Sequence, residues 1–231
     1  MGSSDVLQSM ASSALENVKE TSIIGLGSGR TVAVFVRALA KHRRDNKLDI
    51  KVIPTSLQIK LEAETLGFTI MDDTLIPATD IVFDGADQID ARFNMIKGGG
   101  GALLREKVLI HASKQVVILA DESKYVNVLN RAVPIEVHPY ARTYVYERLK
   151  KWGVALKIRS NDQGYPFVTE NGNLILDTDF GEINDVVNIE REVKNIAGVM
   201  EVGLFTKHAT KYYKAKKSGG VEVLTPYYGS E

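Results

Sequence analysis

The chain reads as an α/β protein: a Rossmann-like, mostly parallel sheet domain joined to a smaller α+β domain of ferredoxin-like type. Three observations predict this. The short, nearly continuous apolar runs at 80–85 (DIVFDG) and 115–121 (QVVILAD) lead into Asp, as strands buried on both faces do when their carboxyl ends face a site. Helical apolar faces alternate with such runs through the first half of the sequence, the pattern of a parallel sheet with crossover helices. From Val133 the order becomes βαββαβ, the split βαβ arrangement.

In order, Leu7, Met10, Ala11, Ala14, Leu15 and Val18 have the spacing of one helical face. The run SIIGLGSGR then predicts a strand breaking into a glycine loop, and Val32, Phe35, Val36 and Leu39 form the face of a helix that begins at Thr31. A second strand, IKVIPTS, is followed by Thr55 and Gln58 at capping-box spacing, a helix over LQIKLEAETL and Gly67 at its C-terminal cap. The two Asp-terminated strands follow, with GALLREKVLIHASK as the crossover helix between them. In the later region come the strand PIEVHP, a helix with Ala141, Val145, Leu149 and Trp152 on one face, the strand VALKIRS, and FVTENGNLILDTDF, whose Asn171 and Gly172 mark a hairpin. A helix with Val186, Ile189, Val193 and Ile196 and the strand MEVGLF complete that unit. The tail from Tyr212 is expected to return a strand or two to the first domain. These readings divide the chain into a Rossmann-like catalytic domain of 1–130 plus 205–231 and a small α+β domain of 131–204.

The 231 residues suffice for one large or two modest domains, and the composition, 44% hydrophobic and 25% charged, is that of a globular protein. Lys plus Arg and Asp plus Glu number 29 each, so no global field gathers a polyanion such as nucleic acid, and any anion site is local. The absence of cysteine excludes disulfides, thiolate nucleophiles and Cys-ligated metals. The N-terminal stretch lacks the basic and apolar regions of a secretory signal, and no apolar run is long enough to span a bilayer, so the expected location is the cytoplasm.

Candidate chemistry concentrates at 84–107, DGADQIDARFNMIKGGGGALLREK. Asp84 and Asp87 flank Gly85 and Ala86 directly after a buried strand. Two carboxylates there suit proton traffic or sugar hydroxyls, although a DG turn with Asp87 as a cap fits them equally. Asp90 is a weaker candidate or a solvated carboxylate. Lys97 precedes Gly98, Gly99, Gly100 and Gly101, and four glycines inside an α/β unit point to close approach of a ligand. Glu106 lies early in the next helix, where REK would ordinarily be a solvated face. Ser28, Gly29, Arg30 and Thr31 sit between a strand and a helix, where amides and the helix N-terminus can cradle a phosphate. A dinucleotide fingerprint is absent, because Arg30 stands where its third glycine belongs and the next strand ends without an acidic residue. The four histidines, His42, His111, His138 and His208, lack ligand spacing, and no metal or cofactor is required by this set. Together the residues supply a carboxylate base, a cation with amides for a developing enediolate, and a phosphate grip.

The motifs GLGSGRT, TSLQ, DGADQID, MIKGGGGALLREK, ADESK and TENGNLILD, in this order over almost the whole chain, resemble those of the ribose-5-phosphate isomerase A family. The resemblance implies a cofactor-free aldose–ketose isomerase acting on a sugar phosphate, with Glu106 as general base. Asp84, Asp87, Lys97 and the glycines after it would line the substrate, with Lys124 of ADESK as a further substrate-binding lysine. It also implies a homodimer or homotetramer. Where the family's phosphate loop is usually Thr-Gly-Ser-Thr, this sequence has Ser28, Gly29, Arg30 and Thr31, which keeps the first hydroxyl and replaces the second with a guanidinium. The rivals to an isomerase are a non-catalytic sugar-phosphate sensor, for which a helix-turn-helix would be expected, and a related CoA transferase or amino-sugar-phosphate deaminase.

Overall fold

In the computed structural model, residues 3–71 and 78–226 are described. Along the chain run α1 (Ser3–Ala14), β1 (Thr21–Leu26), α2 (Gly29–Asn46), β2 (Asp49–Pro54), α3 (Leu57–Thr65), β3 (Thr69–Ile70) and β4 (Thr79–Gly85). Then come the short β5 (Gln88–Ile89) and β6 (Met95–Ile96), α4 (Leu103–Ala112) and β7 (Ser113–Asp121). The later part holds β8 (Val133–Val137), α5 (Arg142–Lys150), β9 (Ala155–Ile158), β10 (Leu174–Asp179), α6 (Val186–Lys194), β11 (Val199–Val202), β12 (Leu204–Phe205), β13 (Lys211–Ala215) and β14 (Val221–Leu224). By contacts the chain forms two compact units: Met1–Ala86, Arg105–Lys124 and His208–Glu231 in one, Asp87–Leu104 and Tyr125–Lys207 in the other.

The first unit is built on a seven-stranded sheet in the order β14-β13-β7-β4-β1-β2-β3, parallel throughout except for β14 against β13. Alternation along β1 explains how both faces are covered. Ile24 and Leu26 pack with Phe35, Val36 and Leu39 of α2 and with Met10 of α1, and Phe35 stacks on Phe83 at 4.1 Å between centroids. Gly25 lies on the opposite face, where a β-carbon would come within 3.3 Å of Leu109 on α4. As the tail reading anticipates, β13 and β14 return to this sheet. Helix α3 is capped one residue later than the Thr55–Gln58 spacing suggests: Ser56 Oγ accepts from Ile59 N–H, while the Thr55 hydroxyl is buried. Gly67, at φ +75°, follows its last turn, as expected.

The second unit carries a four-stranded antiparallel sheet in the order β11-β8-β10-β9, which in chain order is the ferredoxin-like arrangement. Val133, Ile135 and Val137 on one face of β8 pack with Val145 and Leu149 of α5 and Val186 and Val193 of α6. On the other face, fully buried Glu136 accepts hydrogen bonds from Thr169 Oγ1, Asn171 Nδ2 and Asn173 Nδ2 at 2.8–3.0 Å, which ties down the Asn171–Gly172 turn. The upstream arm of that hairpin is reduced to a single bridge between Val168 and Leu174. A three-stranded sheet, β12-β6-β5, belongs to the same unit. Among the described residues no helix is long and apolar enough to cross a membrane.

Candidate active site

In the first unit the connections leaving β1 and β4 diverge, because β1 leads through α2 to β2 on one side and β4 leads toward β7 on the other. Such a switch point opens a crevice at the carboxyl ends of the two strands. Gly27 caps β1 there, with its N–H donating to Phe83 O at 2.9 Å. Asp84, 1% exposed at the end of β4, lies directly on Gly27: a β-carbon at that position would sit 1.8 Å from Asp84 Oδ1. The carboxylate also accepts from the following amide, Gly85 N, at 2.7 Å.

The next residue, Ser28, is in extended conformation before the first turn of α2, yet its side chain does not cap that helix. Its hydroxyl instead donates to Glu106 Oε1 at 2.6 Å. Glu106 occupies the first turn of α4 and is 3% exposed, and Lys107 beside it is buried as well. The REK segment is therefore turned inward rather than solvated. Burying a carboxylate is costly unless polar groups meet it, and the Ser28 hydroxyl is one that does. Asp84 and Glu106 thus converge on two successive residues of the β1 loop. Gly29, Arg30 and Thr31 form the N-terminal turn of α2, Arg30 exposed and Thr31 partly buried. Lys124, partly exposed, ends a single 3-10 turn just after β7, next to Ser123, whose hydroxyl and amide both meet Asp121.

In the second unit the four glycines make a tight turn closed by Gly101 N–H to Gly98 O at 3.0 Å. Asp87 lies against it: Gly99 N–H donates to Asp87 Oδ2 at 2.7 Å, and a β-carbon on residue 99 would approach that carboxylate to 2.8 Å. Lys97, 3% exposed, is held through its backbone N–H on Gly203 O at 2.9 Å, and its ammonium stands 5.5 Å from the Phe205 ring centroid. Asp90 is not a solvated carboxylate. It is buried and accepts from Arg92 N, Asn94 N and Asn94 Nδ2, closing a turn in which Phe93 takes φ +64°.

The sequence model of ribose 5-phosphate isomerase A (phosphoriboisomerase A) matches residues 51–219. A protein named ribose-5-phosphate isomerase A from Archaeoglobus fulgidus is 44% identical over 197 residues, 84% of this chain and 87% of that one. This chain belongs to the ribose 5-phosphate isomerase A family. Solved structures agree with that membership. Ribose 5-phosphate isomerase A from Methanocaldococcus jannaschii superimposes with a TM-score of 0.91 at 36% identity, covering 97% of this chain and 100% of the other. A D-ribose-5-phosphate isomerase in complex with phospho-erythronic acid gives 0.92 at 34% identity, covering 97% and 100%.

Within this family member, the structure brings Ser28, Asp84 and Glu106 together in the first unit and Asp87 with the glycine turn in the second. Gly85 and Ala86 are partly buried in the segment between the two aspartates. Sequence reasoning missed Arg159 and Asp177. Arg159 Nη1 donates to Gly98 O at 2.8 Å and Gly99 O at 3.1 Å, while Asp177 holds the same guanidinium. The only local signal was the second of two basic residues, Lys157 and Arg159, near the end of VALKIRS, which have no distinguishing spacing. Of the histidines, His138 caps a one-turn helix through Nδ1, a packing role.

Proposed function

We propose that this chain interconverts D-ribose 5-phosphate and D-ribulose 5-phosphate by proton transfer through a cis-enediolate, with Glu106 as the general base. The observation that carries the reading is the buried Glu106 carboxylate, set on a helix beside Ser28 at the switch point of a parallel sheet. A carboxylate removed from water and oriented by one hydroxyl is suited to take a proton from C2 of the open-chain aldose and return it to C1. Membership of the isomerase family supports the same substrate.

The remaining roles follow from chemistry. Asp84 and Asp87 orient sugar hydroxyls and help move the proton between O2 and O1. Lys97 and the amides of Gly98 and Gly100 stabilise the enediolate oxygen, charge that develops only as the reaction proceeds, while the Gly99 amide holds Asp87 beside the substrate. Gly29, Arg30 and Thr31 at the start of α2, with Ser28, take the phosphate, where helix-terminal amides and a charged donor favour an anion, and Lys124 is a further substrate-binding lysine. Ser28 has a second part in this scheme, since its hydroxyl fixes one oxygen of the base.

The test is to incubate chelator-treated protein with ribose 5-phosphate and follow ketose formation, in parallel with Glu106→Gln. Ketose is expected from the unaltered chain, and a kcat lower by about 10²–10⁴-fold from the variant at an unchanged unfolding midpoint. No ketose from the unaltered chain overturns the function, and near-normal kcat in Glu106→Gln removes that residue from the role of base.

A further inference from the structure

The guanidinium of Arg159, in the second unit just after β9, is fixed from two directions. Asp177 on the neighbouring β10 receives two parallel hydrogen bonds from it, Nε to Oδ2 at 3.0 Å and Nη2 to Oδ1 at 2.5 Å, and both side chains are only 15% exposed. The third nitrogen, Nη1, then has little freedom, and it donates to the carbonyls of Gly98 and Gly99. Phe167 sits over the same place, its ring centroid 5.9 Å from Arg159 Cζ and its edge where a β-carbon on residue 101 would fall.

A trans peptide points its C=O and its N–H in opposite directions. Drawing the Gly98 and Gly99 carbonyls onto one guanidinium nitrogen therefore turns the amides of Gly99 and Gly100 away from it. The first of these is seen to obey, since the Gly99 amide meets Asp87 on the far side. The second, on exposed Gly100, is likewise turned away from that nitrogen by the Gly99 carbonyl it holds. Gly98 O also accepts the bond that closes the turn, so Arg159 and the turn restrain one another.

We propose that Arg159, held by Asp177, is a positioning residue that pre-aims the glycine-turn amides, Gly100 above all, at the oxygen that gains charge during isomerisation. The inference rests on the isomerase reading given above. A donor aimed in advance stabilises the transition state without reorganisation, so loosening it lowers kcat more than it raises KM.

The test compares Arg159→Met, Arg159→Lys and Asp177→Asn with the unaltered chain for kcat, KM and unfolding midpoint, together with affinities for phospho-erythronic acid and for inorganic phosphate. Arg159→Met is expected to lower kcat by roughly 10–100-fold, less than the ~10²–10³ lost when such a donor is removed outright, with KM within about threefold. Arg159→Lys should recover part of the loss, and Asp177→Asn should show a smaller fall of the same kind. Affinity for phospho-erythronic acid should fall while that for inorganic phosphate stays. Unchanged kcat in both Arg159→Met and Asp177→Asn overturns the proposal, as does a fall that tracks loss of folded protein or weakens phosphate binding equally. If Arg159→Met does not fold, Arg159→Lys and Asp177→Asn decide by the same split. Failure of the isomerase reading is seen separately, as no turnover by the unaltered chain.

Discussion

The crevice at the ends of β1 and β4 and the glycine turn at 98–101 both press backbone against an aspartate, but they are built in opposite ways. In the reaction proposed above the crevice works through side chains, Ser28, Asp84 and Glu106, each delivered by the end of a strand or the first turn of a helix. In the same proposal the turn works through backbone amides, whose peptide planes are held by an arginine 61 positions later in the chain. Side-chain sites at element ends inherit their geometry from local structure. A backbone site inherits it from whatever holds the peptide planes, which is remote in sequence.

The sharpest way to break this contrast is to add a methyl group to each region. Gly27→Ala drives a β-carbon to 1.8 Å from Asp84 Oδ1 and 2.8 Å from Asp84 Cβ, and the latter atom is fixed in a central strand, so rotation of the carboxylate cannot relieve the contact. Displacement of order 1 Å at a reacting site costs about 100-fold, and that is the expected fall in kcat/KM. Gly99→Ala meets only the carboxylate group of half-buried Asp87, which can swing aside. Its expected loss is about tenfold, one step of ~1.4 kcal/mol. Steady-state kinetics on both variants checks the ranking, and equal losses would mean the two aspartates are held alike.

The same contrast explains what was legible in the sequence. Strand and helix order followed from apolar periodicity and turn residues, because Ile24, Leu26, Phe35 and Phe83 must be buried wherever the sheet forms. Glu106 was singled out only because lysine and glycines precede it, for REK alone reads as solvent-facing. The Thr55 cap missed by one residue, since Thr55 and Ser56 offer the same hydroxyl and only tertiary packing chose between them. Asp90 looked like a solvated carboxylate because the turn it closes depends on Phe93 entering the left-handed region, which no local signal announces. Arg159 was invisible for a stronger reason: its partners Gly98, Gly99 and Asp177 are brought to it only by the pairing of β9 with β10 and the path of the glycine turn.

Glu136 tests whether the scaffold of the second unit can be weakened without touching the first. One of its oxygens accepts from Thr169, Asn171 and Asn173, bonds strengthened by the negative charge. Glu136→Gln keeps the shape and removes the charge. Hydrogen bonds to charged groups are worth ~1.5–3 kcal/mol against ~0.5–1.5 for neutral ones, so a loss of about 2 kcal/mol is expected in denaturant unfolding. Catalysis by the folded fraction should change less than in Arg159→Met. A large fall in kcat without loss of stability would place Glu136 in the chemistry instead.

The smallest effect is expected near one side of the first unit's sheet, where Tyr213 on β13, next to the edge strand β14, fastens the 3-10 turn Leu15–Asn17 that follows α1. Its buried hydroxyl donates to Glu16 Oε1 at 2.5 Å and accepts from Asn17 Nδ2 at 2.7 Å. Burial, and then the bond to the Glu16 carboxylate, push the phenol up to about 12, with Asn17 opposing. The unfolded chain loses this proton near ~10. Between those values the folded state keeps a proton that the unfolded state has released, so stability falls as pH rises there and is whole below that range. Tyr213→Phe removes both bonds and should cost about 1 kcal/mol at neutral pH. It should also flatten the alkaline decline, which denaturant midpoints taken from about pH 8 upward would show. The crevice depends on the same sheet but not on this phenol, so kcat below the onset of that decline should be the same in both proteins. A variant that declined as steeply as the unaltered chain would move the alkaline transition to another group.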